Sequence, residues 1–521
     1  MQPDGDTGCG DLLVVGTAGT LEPSAGVDGL REGERLAGEE IPAFVEALLR
    51  PWLDVAWREV RDVAGEAVVL DGLLGALKRR LSELVAQAVG EWAAGADAGA
   101  FWQRFPGQRW VVKRTVRDWV DGTALFLRRL DGDRGLLAGC LGVGSLPAVA
   151  SVEATASDLH PGGAMVLKVG FVGGGWVFYK PRPVTGEWLW WALLEAVAGS
   201  VPLPAGRVVF GGQTDGDAYG WMESVREEEG WPGRRTAGGG WSYWERAGAV
   251  VCLAQHMRLT DLHMGNVLAT PFGPAVTDAE CLGTAGSLGD GFAGAVEGLR
   301  DTGLLPQRRG GVDASGLFGR AGAVPGLRLG CWAVSQAGDW RFTALPAALV
   351  RHGNLPEEDA AVSPMAVAAQ VCSGYRRGAE ALMEARATLL AAGSAWREML
   401  ETRHAPRCVL RETVVYGKVL SRSLAAASLR GQRRRTLAEW MGAAALPERV
   451  VEAEVRALMA GSVPRLAIAA GSRTLCDSDG RVLQCDFSEC TPGESVVREL
   501  ESLTAARLEE TLLPALLATL L

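Results

Sequence analysis

Five polar residues between His256 and Glu280, in HMRLTDLHMGNVLATPFGPAVTDAE, have side-chain types and spacing suited to metal and phosphate chemistry. Asp261, His263 and Asn266 fall within six positions, shortly after the apolar run Val250-Val-Cys-Leu-Ala254. Pro274-Ala-Val-Thr then leads to Asp278 and Glu280. Carboxylate and amide oxygens are the hard donors that magnesium takes, and an aspartate or histidine beside them can move a proton. Two such clusters flanking a short β-like apolar segment can hold a divalent cation together with a nucleotide's phosphates.

Upstream, Lys180 closes the strand-like run Trp176-Val-Phe-Tyr-Lys-Pro-Arg182. Only five of the chain's 52 basic residues are lysines, so a lysine at a strand end ahead of a helix stands out. Kinases place a lysine there against the α/β-phosphates, and later an aspartate, an asparagine five residues on and a metal-binding aspartate. Lys180, Asp261, Asn266 and Asp278 repeat that order. Asp158 and His160, in SDLHPGG, come just before the hairpin; alone they would also serve as a turn cap. Of the remaining histidines, His256 is expected to pack on its helix, and His352 and His404 to be surface or loop residues. Arg407, Arg411 and Thr413 lie in a β-like segment, where alternation would put them on one face. That face would offer two guanidinium forks and a hydroxyl to an anion, or else be a solvated strand face.

The scaffold for these residues begins with a mainly helical N-terminal third. Phe44, Leu48, Leu49, Trp52 and Val55, then Leu73, Leu77, Leu81, Leu84 and Val85, recur at helical spacing, and Trp110 to Leu130 continues the pattern. Residues 1–40, rich in glycine and acids, read as partly disordered or as a strand-like entry segment. Near residue 150 the character changes. Two β-type runs around Gly173-Gly174-Gly175 predict a hairpin. A helix over GEWLWWALLEAVAG, strands near 207–210 and 218–223, and a helix from Tyr243 to about Met257 follow. The glycine-rich region after Glu280, including Gly303–Pro306 and Val312–Gly319, reads as functional loops over a site. Ser363 to Leu400 is helical, and helical segments dominate to the end.

Length and composition set the outer bounds. A chain of 521 residues exceeds what one core usually carries, so two or three subdomains are expected. Hydrophobic residues at 48% and a formal charge of −10 describe a soluble globular protein and argue against nucleic-acid or anionic-membrane partners. The N-terminus lacks a basic segment ahead of an apolar core, and no apolar run approaches the ~20 residues a spanning helix needs. Ten scattered cysteines without a C-x-x-C pair fit a reduced, cytoplasmic chain, and the last three lack zinc-like spacing.

The segments SDLHPGGAMV, VFYKPRPVTGEW, YGWMESV, YWERAGA, TDLHMGNVLA, PAVTDAECL, TGLLP, VDASGLFG and RCVLRETVVY occur in this order from about residue 150 to 420. Together they resemble the dehydratase region of class II (LanM-type) lanthipeptide synthetases. The resemblance implies an α+β fold with a kinase-like, two-lobed core (lipid- or protein-kinase type), elaborated with N- and C-terminal helical regions. Residues 1–150 would be a helical region that helps bind a leader peptide, 151–345 the core with the ATP/Mg²⁺ site, and 346–521 a helical region carrying the elimination motif. The implied activity is dehydration of a ribosomally made precursor peptide. Ser and Thr would be phosphorylated with ATP and phosphate then eliminated, with ADP present, to leave dehydroalanine or dehydrobutyrine. By the same resemblance, Lys180 would hold the ATP phosphates and Asp261 would orient or accept the hydroxyl proton beside His263. Asn266 and Asp278 would bind Mg²⁺ with support from Glu280. Asp158 and His160 would belong to the active site, and Arg407 and Thr413 would serve elimination. Phosphate held by cations leaves far more readily than hydroxide, each ~1.4 kcal/mol being worth about tenfold in rate. The Cα proton needs a base, and a nearby lysine or histidine of lowered pKa could serve.

Two positions depart from the family. Gly265 stands where a glutamate is usual, and Glu412 where a proline is common; alternation would turn Glu412 away from Arg411 and Thr413. Full synthetases continue into a zinc-dependent cyclase with Cys and Cys-His motifs, which this sequence lacks. No zinc is therefore expected, and ring formation would fall to a separate partner or would not occur. The apolar helix Leu508–Leu521 is expected to pack on its own domain rather than dock on that partner. Two other readings stay open: a kinase without elimination, and an inactive kinase-like partner that binds the precursor peptide.

Overall fold

The computed structural model describes residues 21–23, 43–64, 70–90, 92, 97–155, 161–211, 219–225, 240–284, 295–306, 313–320, 322–334, 340–349, 353–356, 362–411, 413–424, 433–442 and 446–521. After a short strand, β1 (Leu21–Pro23), five helices form the N-terminal region: α1 (Ala43–Ala64), α2 (Asp71–Gly90), α3 (Ala98–Arg104), α4 (Pro106–Gly132) and α5 (Arg134–Leu141). Leu73, Leu77, Leu81, Leu84 and Val85 are all buried, as their helical spacing requires. The Asp97 carboxylate accepts the backbone N–H of Gly99 at 2.8 Å and so caps α3, and Pro106 opens α4 with the φ a first turn wants.

These helices pack on a five-stranded antiparallel sheet of β2 (Val149–Ala154), β3 (Leu167–Phe171), β4 (Trp176–Lys180), β5 (Val208–Phe210) and β6 (Gly220–Glu223), in the order β2-β3-β4-β6-β5. The predicted hairpin is β3–β4, with Leu167 opposite Tyr179. Alternation along β4 turns Val177 and Tyr179 into the core shared with the N-terminal helices, where the Tyr179 and Phe126 rings lie 5.1 Å apart. Phe178 packs instead against the second core, on the side of α6 (Thr185–Val197), and Lys180 shares its face by period. The turn Pro161–Gly163 is held against α4 because Gly163, at φ 74°, carries no side chain. A Cβ there would lie 2.1 Å from the Asp118 carbonyl oxygen.

The second core surrounds α7 (Tyr243–His256), whose start is fixed by a capping box between Ser242 and Glu245. Leu189, Trp190 and Leu193 of α6 are buried there beside Val250 and Leu253. Each such side chain contributes roughly 1.5–3 kcal/mol by leaving water. The hairpin β7 (Val267–Thr270) and β8 (Gly273–Val276) follows α7 directly. Beyond it lie α8 (Ala295–Asp301) and a long hairpin, β9 (Gly322–Val334) with β10 (Trp340–Leu349), which also pairs with β1. That long hairpin has no counterpart in the sequence reading.

Helix α9 (Pro364–Leu389) adds Tyr375 and Leu382 to the second core, and α10 (Ala395–Glu398) continues into one π-turn. Next come α11 (Thr413–Ser423), α12 (Arg433–Gly442) and α13 (Glu448–Met459). A three-stranded sheet, β11 (Leu466–Ile468), β12 (Leu475–Asp477) and β13 (Val482–Gln484), interrupts the helices before α14 (Pro492–Ser502). Helical segments dominate to the end as expected, but the reading did not foresee this sheet. Asp479-Gly480, with Gly480 at φ 76°, is the hairpin signal that the reading passed over. The last turns bury Leu508, Leu512, Leu516 and Leu520 in the second core, so the terminal segment packs on its own domain as expected. Among the described residues no helix is long and apolar enough to cross a membrane. The fold is thus a mix of helices and antiparallel sheets.

Candidate active site

The β7–β8 hairpin explains why the two polar clusters meet. Val267 pairs with Val276, so Asn266 before the hairpin and Thr277 after it are brought together. The Thr277 N–H donates to the Asn266 carbonyl at 2.9 Å, which places Asp278 beside the first cluster. The turn leading into the hairpin is unusual. Arg258 and Asp261 both take positive φ, 49° and 64°, a conformation that costs a non-glycine residue energy and gathers at functional sites.

Two buried segments brace this turn. The Leu262 N–H donates to the Thr302 carbonyl and the Met264 N–H to the Ala314 carbonyl, each at 2.9 Å. Leu304, Leu305 and Leu317 beside them are fully buried. Residues 302–306 and 313–319 therefore support the turn from the core side, rather than forming the expected loops over the site.

Within the turn, Asn266 Nδ2 donates to the Asp261 carbonyl at 2.8 Å. The Gly265 N–H donates to His263 Nδ1 at 3.0 Å, which puts the proton of a neutral His263 ring on Nε2. The residue that departs from the family thus contributes through its backbone. Burial pushes the Asp261 carboxyl up; His263 and Arg407 oppose this and Asp278 reinforces it. An aspartate so raised is a better proton acceptor than a solvated one.

Opposite stands Lys180. Its Nζ donates to Glu187 Oε1 and to the Thr277 carbonyl, both at 2.8 Å, and lies 3.8 Å from Asp278 Oδ2. Arg182, two residues on, serves three carboxylates. Its Nη2 reaches Glu187 Oε1 at 2.6 Å and both Asp278 oxygens at 2.9 Å, while its Nε lies 2.9 Å from Glu280 Oε2. Burial would raise the Glu187 pKa, but Arg182 and Lys180 outweigh it and hold the carboxyl at about 2. Sequence reasoning missed both Glu187 and Arg182. The signal was there: a lone acid in the first turn of an otherwise apolar helix must find a buried cation.

Helix α6 can sit this close because residue 186 is glycine. A Cβ at Gly186 would lie 2.2 Å from the Ala279 carbonyl oxygen, between Asp278 and Glu280. Gly186→Ala is therefore expected to force α6 away and cost about 1–3 kcal/mol. Thermal melts with and without Mg²⁺ and nucleotide would measure it, and an unchanged melt would contradict the contact.

The third contributor is the C-terminal region. Residues 406–408 add to the small sheet: the Cys408 N–H donates to the Leu466 carbonyl at 2.9 Å and the Ile468 N–H to the Pro406 carbonyl at 3.0 Å. This fixes Arg407, whose N–H donates to the Glu280 carbonyl at 2.8 Å and whose Nη1 donates to Glu280 Oε1 at 2.7 Å. Arg465, just before β11, reaches Glu280 Oε2 at 3.4 Å. Despite burial, Arg182, Arg407 and Arg465 hold the Glu280 carboxyl well below its usual range.

The expected strand face through 407–413 does not form. Only Arg407 makes a β-bridge, to Ala467, and Thr413 begins α11. Arg411 turns to the buried Glu454, Nε to Oε1 at 2.8 Å, where the Tyr416 hydroxyl also donates at 2.7 Å. Helix formation from Thr413 replaces the period of 2 that the reading assumed. The Thr413 side chain, and Asp158, His160, His352 and Glu412 altogether, lie outside the described residues.

His404 sits in a loop, one of the two expected placements, but not at the surface. It is buried, with Nε2 donating to the Leu282 carbonyl and Nδ1 accepting from the Thr185 hydroxyl, each at 2.9 Å. The neutral ring ties the start of α6 to the segment after Glu280. Burial lowers its pKa to about 4, against the Leu282 hydrogen bond. The unfolded chain takes a proton near pH 6.5 and the folded one only near 4. Stability is full above pH 6.5 and falls through this window by roughly 3 kcal/mol. Melting temperatures from pH 7 to 4 should show that slope, and His404→Gln should flatten it.

Three segments thus converge: β4 with the start of α6, the turn and hairpin of residues 258–280, and the sheet edge of Arg407 and Arg465. Among the described residues no group of three His, Cys, Asp or Glu is placed to hold a metal ion. The donor chemistry nonetheless fits a hard dication bound with phosphate oxygens. Asp278, about a quarter exposed at 24%, keeps roughly one lone pair on Oδ2 beyond the one that Arg182 takes, while Oδ1 also accepts the Glu280 N–H at 3.1 Å, and Asn266 adds an amide oxygen. No curated protein matches the chain. Residues 105–468 match the family described as a domain of unknown function, DUF4135, and this span holds Lys180, Arg182, Glu187, Asp261, Asn266, Asp278, Glu280, Arg407 and Arg465. The chain therefore belongs to the DUF4135 family, a domain family known in lanthipeptide synthetase-like proteins.

Proposed function

We propose that this protein is a peptide dehydratase that phosphorylates Ser and Thr of a precursor peptide and then eliminates the phosphate. The observation that carries the reading is the Lys180–Glu187 pair, strand lysine to helix glutamate at 2.8 Å, beside Asp278. Kinase-type phosphoryl transfer uses such a pair next to a metal-binding aspartate. The same reading takes the β2–β6 sheet with α6 as one lobe of a kinase-like core and the helical core around α7 and α9 as the other.

Asp278 and Asn266 would hold Mg²⁺ and Lys180 the nucleotide's phosphates; bound together, Mg²⁺ and ATP supply the transferable phosphoryl group. Asp261 takes the proton of the Ser or Thr hydroxyl as its oxygen bonds to phosphorus and the bond to ADP breaks. His263, whose charge bears on the Asp261 carboxyl, would assist that proton transfer. In the second half, the Cα proton passes to a basic side chain of the site. The C–H electron pair becomes the Cα=Cβ bond, and the Cβ–O bond breaks to release phosphate. Arg407 serves that departure; by the family resemblance Thr413, Asp158 and His160 would share in the chemistry.

A kinase-only reading has one observation in its favour: Arg407 already pairs with Glu280 at 2.7 Å, so elimination requires it to share its donors. Titration of the chain with a non-hydrolysable ATP analogue tests the part common to both readings. The analogue should bind only with Mg²⁺ present, and Asp278→Asn should lose that dependence. Binding that ignores Mg²⁺ would remove both.

A further inference from the structure

Three guanidiniums converge on the one carboxylate of Glu280, and their N–H donors, five on each, outnumber the lone pairs it offers. Arg407 Nη1 stands at 2.7 Å, Arg182 Nε at 2.9 Å and Arg465 Nη2 at 3.4 Å, whereas a carboxylate offers about four lone-pair directions. Arg182 also serves Glu187 and Asp278. Among the described residues Arg465 has only the long contact to Glu280, and its Nε is buried there without an acceptor. Burial lowers the Arg465 pKa, with Glu280 opposing and Arg182 and Arg407 adding to the fall. A largely buried guanidinium, its side chain 14% exposed, is costly when so poorly paired unless an anion completes it. The backbone pairing of 406–408 with 466–468 fixes Arg465 beside Arg407 independently of Glu280.

We propose that Arg465 and Arg407 are two jaws of a phosphoryl-anion site, in which Glu280 is the internal anion that holds the guanidiniums until a tetrahedral oxyanion arrives. Paired guanidinium donors match such an oxyanion. The ligand class is a phosphoryl dianion, carried on a Ser or Thr side chain or free as phosphate. This deepens the dehydratase reading and rests on it, since a phosphate must there be held as it leaves.

The test is calorimetric titration of the full chain with inorganic phosphate and, separately, with a short phosphoserine peptide, without nucleotide. Arg465→Met is expected to weaken phosphate binding about tenfold or more. Arg465→Lys should recover part of that loss, and Glu280→Gln should tighten binding by removing the competing carboxylate. Tighter binding of the phosphopeptide assigns the site to substrate, and tighter binding of phosphate assigns it to product. A wild-type chain that binds neither probe overturns the proposal, as does a folded Arg465→Met with wild-type affinity. If Arg465→Met does not fold, Glu280→Gln decides, and unchanged or weaker phosphate binding overturns the proposal. Loss of the dehydratase reading is separable: phosphate binding that depends on Arg465, in a chain that binds no Mg²⁺-nucleotide, keeps the anion site and removes the enzyme.

Discussion

Glu187→Gln is expected to lower phosphoryl transfer about 100-fold or more, and to lower the melting temperature of a chain that still folds. The amide keeps the shape of the carboxylate but gives up its charge beside two cations. Lys180 Nζ stands 2.8 Å from Glu187 Oε1 and Arg182 Nη2 stands 2.6 Å from the same oxygen. Removing one partner of a buried ionic network typically costs about 3–5 kcal/mol, because the others stay buried without compensation. Lys180 then has Asp278, now 3.8 Å away, as its nearest carboxylate. That movement takes both groups away from the positions that phosphate and metal binding need. Transfer rates measured beside thermal melts separate the two effects. A variant that melts lower but transfers phosphate as wild type would reduce Glu187 to a structural role.

The second large effect concerns the end of the reaction. Arg407→Gln is expected to convert loss of water into gain of phosphate. A donor aimed at developing charge is worth about 2.7–4 kcal/mol, or 10²–10³ in rate, enough for the phosphorylated peptide to accumulate. The phosphorylating half should survive, because Arg182 and Arg465 still hold Glu280 when Arg407 is gone. Mass spectrometry of the product mixture over time reads the ratio directly. Continued dehydration in Arg407→Gln would remove Arg407 from elimination.

What the sequence revealed divides along a physical line. Asp261, Asn266 and Asp278 were legible because a hairpin of a few residues joins them, so their spacing fixes their proximity. Lys180 was legible from its place at a strand end, and the β3–β4 hairpin from its glycine turn. Arg182 and Glu187 were within reach, since both follow Lys180 closely, but their importance depends on Asp278 and Glu280 folding back against them. Arg465 was not legible. It reaches Glu280 only through the pairing of residues 406–408 with β11, a contact between segments about 60 residues apart, and such contacts leave no local pattern. The same sheet was not foreseen because its strands are three residues long, too short for a period to assert itself. The burial of the loop residue His404 was not legible for a related reason, its partners Thr185 and Leu282 being distant in sequence.

The central claim is that one site both installs and removes phosphate. Its most direct test is mass spectrometry of a Ser- and Thr-containing precursor peptide after incubation with the chain, Mg²⁺ and ATP labelled in the γ-phosphoryl oxygens. The account predicts loss of water from the peptide, with the label released as free phosphate in step with it. Phosphorylated peptide as the stable end product, or an unchanged peptide from a chain that binds Mg²⁺ and nucleotide, would contradict it.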